Sequence, residues 1–207
     1  MIVAALLASG AVRAEWFAAA YLGGAHTWDS YLTVAQSSGS TALRGVSWDS
    51  RSFEAPPYYG VQVGNFFAAN DTFGIRIDYN HDKVYAASSL APALQRFSLS
   101  HGVNSITIDA LWRHRSGAFS TYAGAGAGTA VPHVEAVSAA GSVDEYQWFR
   151  GLALKAIIGV TYDLLGPLAA FAEARITYID LKVDIADGSA STALWTAHAA
   201  VGALIRL

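Results

Sequence analysis

The sequence predicts an all-β fold, an eight-stranded antiparallel transmembrane up-and-down β-barrel. Of its 207 residues, 53% are hydrophobic and only 14% are charged, well below the roughly 25% charge of a typical soluble domain. No apolar segment suits a membrane helix, which needs about 20 apolar residues. Apolar and polar residues instead alternate with a period of two, as in strands. Closed barrels satisfy the backbone in lipid without helices, so these observations favour a barrel.

The first fourteen residues are typical of a secretory signal peptide. Apolar residues 2–7 are followed by small residues and by Val12-Arg13-Ala14, an acceptable small-x-small cleavage site, although the usual basic segment is missing. We expect residues 1–14 to be removed and residues 15–207 to form the barrel. The alternative is an apolar strand or helix of the mature protein.

Eight segments carry the alternation. They cover residues 16–28, 57–67, 72–85, 103–115, 119–131, 147–164, 168–183 and 193–207. Three connectors are short, at 68–71, 115–118 and 165–167, and four are long and polar, at 29–56, 86–102, 132–146 and 184–192. Short turns at one end and long loops at the other are typical of outer-membrane barrels, whose long loops face outward. The sequence therefore predicts an outer-membrane location.

Charged residues of the strands share one face with glycines, while the opposite face is apolar. They are Arg76, Asp78, Asp109, Lys155, Glu173 and Arg175. This predicts an apolar face toward lipid and a narrow interior in which opposite charges pair. The alternative, a soluble lipocalin-like barrel, would show the charges and hide the apolar face.

Aromatic residues near strand ends predict two interfacial girdles. They are Trp16, Trp28, Phe66, Phe67, Trp112, Trp148, Phe171, Tyr178 and Trp195. The net charge of −3 does not favour nucleic acid as a partner. The chain has no cysteine, which excludes disulfides and thiolate metal sites.

Histidines mark the candidate site. His81, His101 and His133 all lie at strand–loop junctions on the long-loop side, and Glu135 follows close behind the last of them. Neutral imidazole and carboxylate are ligands of iron, zinc, manganese and copper, and they also act as general acids and bases. We therefore expect these four residues to be catalytic, with the three histidines holding a divalent metal. Solvated rim histidines without a ligand are the alternative.

Several segments resemble the lipid A oxidase family of alphaproteobacterial outer-membrane barrels, in the same order over roughly residues 48–207. They are Phe53-Glu54-Ala55-Pro56-Pro57-Tyr58-Tyr59-Gly60-Val61, His81-Asp82-Lys83-Val84-Tyr85-Ala86, Ser100-His101-Gly102-Val103-Asn104, Tyr122-Ala123-Gly124-Ala125-Gly126-Ala127-Gly128, Val131-Pro132-His133-Val134-Glu135 and Glu145-Tyr146-Gln147. The resemblance implies dioxygen-dependent oxidation of the proximal glucosamine of lipid A to 2-aminogluconate, with release of hydrogen peroxide. The C-terminal half departs from the family pattern, at residues 164–167 and at Leu207.

The expected partner is then lipid A, or lipopolysaccharide, in the outer leaflet. The substrate-binding candidates are Lys83, Arg51 and Arg96, which could meet lipid A phosphates, and Tyr58. Asp82 and Glu54 are further helpers. Two other functions stay open: a non-catalytic small barrel serving envelope integrity or adhesion, and a lipid A deacylase that uses a loop-side serine near His198.

Overall fold

A computed structural model describes residues 14–67 and 71–207. The expected signal segment therefore lies outside the described residues except for Ala14. The strands of the described part are β1 (Glu15–Thr27), β2 (Ser30–Gln36), β3 (Gly39–Val46), β4 (Trp48–Asp49), β5 (Tyr59–Phe66), β6 (Phe73–His81), β7 (Val84–Ala86), β8 (Arg96–Leu99), β9 (Ser105–Ser116), β10 (Phe119–Ala130), β11 (His133–Ser138), β12 (Gly141–Tyr146), β13 (Leu152–Asp163), β14 (Leu168–Ile185) and β15 (Gly188–Arg206).

Eight of these strands close into an antiparallel barrel, which confirms the predicted fold class. Their order is β1-β5-β6-β9-β10-β13-β14-β15, and β1 also pairs with β15. The closing register runs from Phe17 opposite Arg206 to Thr27 opposite Thr196. Among the described residues, no helix has the length and apolar character needed to cross a membrane.

The two faces of the barrel wall have the predicted polarity. Ile77, Ile108 and Ile158 point outward and are 56%, 57% and 64% exposed. Their strand neighbours Asp78 and Asp109 are buried inside. A closed barrel that is apolar outside and polar inside is the arrangement of outer-membrane proteins, and the outer membrane is the location of this chain.

The six interior charges pair with one another, as the sequence predicts. The ion pairs are Arg76–Asp109 (2.7 Å), Arg76–Glu173 (2.6 Å), Lys155–Asp78 (2.6 Å), Lys155–Asp109 (3.0 Å), Arg175–Asp78 (3.1 Å) and Arg175–Glu173 (2.5 Å). Three cations thus face three anions. Glycines make room for this filling, since a Cβ at Gly126 would clash with the carboxylate of Asp109 and one at Gly159 with the ring of Tyr122.

Two expected girdle residues point the other way. Phe66 and Phe171 are each only 5% exposed and pack inside the barrel. Phe66 packs on Phe17 at 5.7 Å between ring centroids, and Phe171 packs edge-on against Tyr21 at 6.3 Å. Their position near a strand end is right, but their parity turns each ring inward, where it fills the end of the interior.

The long loops are not irregular connectors but form a folded cap, which corrects the expected organisation. Strands β12-β11-β8-β7-β4 make a second sheet, and the hairpin β2–β3 adds to the barrel sheet beside β15. The cap packs on the extended ends of β14 and β15 around buried apolar residues that include Leu32, Leu99, Val134, Leu181 and Leu194. Burial of these side chains holds the loops in one arrangement.

The outward orientation of the apolar side chains leads to a testable prediction. Ile158 lies near the middle of β13, opposite Ala123 and Ala174. We expect Ile158→Arg to destabilise the folded barrel by about 2–4 kcal/mol, because it places a charge in lipid near the bilayer centre. Urea unfolding in lipid vesicles measures this cost. The control is Phe149→Arg, which changes a residue that is 70% exposed before β13; an equal cost for both variants would contradict the lipid-facing assignment.

Candidate functional site

Three of the predicted catalytic residues meet in the cap. One ligand atom each from His101, His133 and Glu135 lies within 4.8 Å of the others. His133 and Glu135 are two apart on β11, so their side chains leave the same face of the strand. Pairing of β11 with β8 sets Glu135 opposite Ser98 and brings the loop that carries His101 alongside. The two imidazole rings lie 4.5 Å apart between centroids.

Polar neighbours hold this cluster. The hydroxyl of Ser100 donates to the Glu135 carboxylate and lies 3.2 Å from His101 Nδ1 and 3.5 Å from His133 Nδ1. Arg96 Nη2 lies 2.5 Å from Glu135 Oε2. Partial burial would raise the pKa of Glu135, but the Ser100 hydrogen bond and the Arg96 charge outweigh it, so the pKa lies below its usual value. Glu135 is therefore ionised at neutral pH.

Asp144 lies close to His133. Its Oδ1 lies 3.4 Å from His133 Nε2, and the register of β11 and β12 places Asp144 opposite Glu135. A carboxylate near the second ring nitrogen is a usual neighbour of a histidine ligand. The Ser100 hydroxyl lies 3.5 Å from the other ring nitrogen of His133, Nδ1, which therefore faces the cluster.

Two imidazoles and one carboxylate form a recognisable donor set. The combination of two histidines and one carboxylate with open positions suits non-haem Fe(II) sites that use dioxygen. The same ligands accept zinc or manganese as well. An ionised Glu135 fits such an ion. These three residues could therefore hold a divalent metal, with Glu135 as a ligand.

His81 differs from its expected role as the third histidine ligand. It lies outside the close group of His101, His133 and Glu135. Its Nδ1 is 2.9 Å from Asn104 Oδ1, and its ring stacks on Tyr59 at 4.9 Å between centroids. His81 ends a strand on the outer wall of the barrel, whereas the close group belongs to the cap. The chemistry of His81 is therefore separate from that of the cluster.

His81 and His101 share a cleft of about 440 Å³. Its floor includes Tyr59, Tyr79 and Ile106. Each lies two residues along its strand from an exposed, outward-facing residue, namely Val61, Ile77 and Ile108. The floor is therefore the outer wall of the barrel. Tyr146 and Trp148 line another side, and both are more than half exposed. The cleft opens toward the lipid side and the cap rather than toward the barrel interior.

Two substrate-binding candidates lie in places that do not fit that role. Tyr58 is only 1% exposed and packs inside the barrel against Tyr21 and His198. Lys83 is 2% exposed, and its ammonium donates to the carbonyl of Glu54 at 2.9 Å. Tyr58 directly precedes β5 and Lys83 directly precedes β7. Both therefore lie near strand ends, as expected, but the folded cap covers them.

The two arginine candidates are exposed in the cap. Arg96 is 58% exposed in its side chain and stands beside Glu135. Arg51 lies over the Tyr85 ring at 4.2 Å from its centroid and pairs with Asp49 at 3.2 Å. Arg96 is thus the basic candidate that the structure brings to the cluster. Arg51 is held in a separate part of the cap.

Of the two helpers, Glu54 is exposed beside Arg51 at 3.7 Å, whereas Asp82 faces the barrel interior. Burial raises the pKa of Asp82 to about 7, against a lowering influence of the Arg175 charge. One of its carboxylate oxygens lies 3.8 Å from His198 Nδ1. Consecutive residues of a strand end point to opposite sides, so His81 reaches the cleft while Asp82 turns inside.

Sequence reasoning missed three residues of the site. Ser100 and Asn104 lie within a segment that was singled out for its histidine, but only the fold shows which groups they touch. Asp144 had no sequence signal, because its role depends on the pairing of β11 with β12. A strand pattern in residues 133–146 is the sequence signal that could have indicated the position of Asp144.

Comparisons with known proteins concern the fold. Neisserial surface protein A (NspA) is 13% identical over 94% of this chain and 99% of its own, with a TM-score of 0.49. Ail of Yersinia pestis, solved with the heparin analogue sucrose octasulfate, is 13% identical over 94% and 98%, with a TM-score of 0.44. The outer membrane protein OprG of Pseudomonas aeruginosa is 11% identical over 94% and 95%, with a TM-score of 0.47. No protein-family model and no curated protein matches the chain. The barrel closure and the polarity of its wall stand on their own geometry: the chain is an eight-stranded outer-membrane β-barrel protein.

Proposed function

We propose that this chain is an outer-membrane enzyme that uses dioxygen to oxidise the proximal glucosamine of lipid A to 2-aminogluconate. The observation that carries the proposal is the cluster of His101, His133 and Glu135 beside a cleft on the outer wall of the barrel. This donor set suits dioxygen chemistry. Lipid A sugars occupy the outer leaflet, at the height of the extracellular ends of the strands. The resemblance to lipid A oxidases in these segments supports the same reaction.

Different residues of the chain would carry out different parts of the reaction. His101, His133 and Glu135 would hold a divalent metal, which supplies electron transfer to dioxygen when bound. Arg96, half exposed beside Glu135, offers a cation to an anionic group of lipid A. Tyr146 and Trp148 offer exposed aromatic faces at the cleft. Oxidation removes two hydrogens from the anomeric carbon and its hydroxyl and gives a lactone, while dioxygen takes them up as hydrogen peroxide. Addition of water to the lactone then gives the acid.

Mass spectrometry of lipid A tests the proposal. In cells whose lipid A lacks the phosphate on the proximal sugar, and so has a free anomeric hydroxyl, we expect expression of the chain to add the mass of one oxygen atom to that sugar, with hydrogen peroxide formed alongside. Cells with an empty vector and cells with Glu135→Gln should show no gain, because the carboxylate ligand is lost. The matched control is Glu145→Gln on the neighbouring strand β12, which should keep the product. Unmodified lipid A in wild-type cells would sink the proposal.

A non-catalytic role in envelope integrity or adhesion is the second candidate function. The folded cap favours it, because two edge strands, β3 and β12, are largely exposed beyond the barrel. Exposed edges are places where another chain can add a strand. This candidate predicts that His101→Ala and His133→Ala change no lipid. Loss of an acyl chain that depends on Ser189 or Ser191, the serines upstream of His198, would instead indicate the deacylase.

A further inference from the structure

The cleft that His101 lines has an exposed aromatic wall. Tyr146 and Trp148 form this wall and are 52% and 67% exposed. Between them Gln147 turns to the other side and is buried. Its side-chain amide donates to the carbonyl of Asp184 at 2.8 Å and accepts from the backbone N–H of Asp184 at 2.8 Å. These two hydrogen bonds anchor the segment, so both rings are held at the cleft.

The aromatic wall adjoins the cluster of His101, His133 and Glu135. Tyr146 lies opposite His133 in the pairing of β11 with β12, and its ring packs edge-on against that imidazole at 4.5 Å between centroids. His101 belongs to the cluster and also lines the cleft, and its side chain is 54% exposed. A molecule in the cleft can therefore contact His101 directly at the surface, with His133 one aromatic ring away.

The floor of the cleft continues the lipid-facing wall of the barrel. Tyr59, Tyr79 and Ile106 are partly buried in this floor, and the exposed residues Ile77 and Ile108 follow along the same strands. The cleft volume, about 440 Å³, is within the roughly 300–1,000 Å³ of small-molecule sites. This space accommodates a sugar ring but not several acyl chains. The chains of a bound lipid would lie on the wall below, within the bilayer.

The cleft offers no strong cation to a phosphate. Among the described residues that line it, none is a lysine or an arginine. A phosphate that left water for this site would lose its hydration without gaining an ion pair, which is costly. An uncharged sugar has hydroxyls that can pair with tyrosine hydroxyls and C–H groups that can pack on aromatic rings. Arg96 does not line the cleft, so an anionic group that it meets belongs to another part of the lipid.

We propose that the cleft binds a phosphate-free sugar of an acylated glycolipid, which enters sideways from the outer leaflet. Tyr146 and Trp148 contact the sugar, and the acyl chains lie on the outer wall of the barrel. The inference rests on the proposed function for the identity of the glycolipid, lipid A, and of the bound unit, its proximal sugar. It adds a selection, because a phosphate on that sugar is rejected. A sugar without this phosphate has the free anomeric hydroxyl that the proposed oxidation needs.

Binding measured without turnover tests the selection. The probes are lipid A with and without the phosphate on its proximal sugar. Each is titrated onto the full-length chain in phosphatidylcholine nanodiscs without dioxygen, and native mass spectrometry counts the bound molecules. We expect the phosphate-free form to bind more tightly by about tenfold or more, because the buried phosphate has no ion pair. Equal affinity of the two forms, or tighter binding of the phosphorylated form, would overturn the proposal.

Substitutions in the aromatic wall test the place of binding. Tyr146→Ala and Trp148→Ala should each weaken binding by about fivefold or more, as expected for loss of an aromatic anchor. Tyr146→Phe keeps the ring and should bind as the wild type does. The matched control is Trp195→Ala, which changes a tryptophan that is 51% exposed on the outer wall and does not line the cleft. Wild-type affinity in both cleft alanine variants would exclude this site. If binding is as expected but lipid A is not oxidised in air, only the proposed function fails.

Discussion

The His133→Ala variant is expected to lose its bound metal and to reduce lipid A oxidation to background. His133 stands at the centre of the cluster, in contact with His101, Ser100 and, through Nε2, Asp144. Loss of an outer-shell partner typically costs about 10–100-fold in metal affinity or activity, and loss of a ligand should cost more. Iron or zinc content of the purified chain, together with the lipid A mass spectrum, measures both effects.

Asp144→Asn changes a neighbour of His133 on β12, the strand paired with β11, and should have a smaller effect than loss of the ligand itself. The amide can offer Nε2 an N–H in place of an acceptor, which disturbs the orientation of His133 and leaves all three ligands in place. We expect a loss of roughly 10–100-fold in metal affinity, which lies between wild type and His133→Ala. His114→Ala, at an exposed position of β9, should bind metal as wild type does. Full metal content in His133→Ala would show that the cluster is not a metal site.

Metal affinity should also fall as the pH falls. Histidine ligands bind as neutral imidazoles, so protons compete with the metal. The pKa of Glu135 lies below its usual value because of Ser100 and Arg96. Its carboxylate therefore stays ionised, and keeps its form as a ligand, to a lower pH than an ordinary glutamate. In Arg96→Gln the pKa of Glu135 should rise toward its usual value, so protonation of this carboxylate, and the loss of metal affinity that it causes, should begin at a higher pH than in the wild type.

The barrel was predictable because its signal is local. Alternation along β6 places Ile75 and Ile77 on one face and Arg76 and Asp78 on the other within a single segment, and the same rule holds on every barrel strand. The ends of strands were less predictable. Phe66 and Phe171 are aromatic and lie near strand ends, as girdle residues do. Only their register in the sheet shows that they point inward.

The site was only partly predictable because it depends on contacts between distant strands. His101, His133 and Glu135 are candidates on the sequence because they lie at or near strand–loop junctions on the long-loop side. Their separation from His81 follows from the pairing of β11 with β8, which no local pattern reveals. Tyr58 and Lys83 are substrate-binding candidates on the sequence because the neighbouring segments have the composition of loops, whereas the folded cap buries both.

The second large effect is expected in the barrel interior, where Asp109→Asn should destabilise the chain by about 3–5 kcal/mol. Asp109 is fully buried and accepts from Arg76 Nε at 2.7 Å and from Thr107 at 2.8 Å, with Lys155 Nζ at 3.0 Å. The amide keeps the size of the side chain but removes its charge. Three cations then face two anions in a space that excludes bulk water, and the uncompensated cation carries the cost.

A second substitution separates charge from packing. In Asp109→Asn with Lys155→Met, two cations face two anions again, and Asp78 keeps its pair with Arg175. We expect the double variant to recover part of the lost stability, because removal of a complete buried pair is often near neutral. Urea unfolding in lipid vesicles compares both with Asp184→Asn, whose partner Arg150 is an exposed cap residue and whose loss should cost about 0–1 kcal/mol. If Asp109→Asn cost no more than Asp184→Asn, the interior charges would not act as one network; if the double variant were no better than the single one, the cost would come from packing rather than from charge balance.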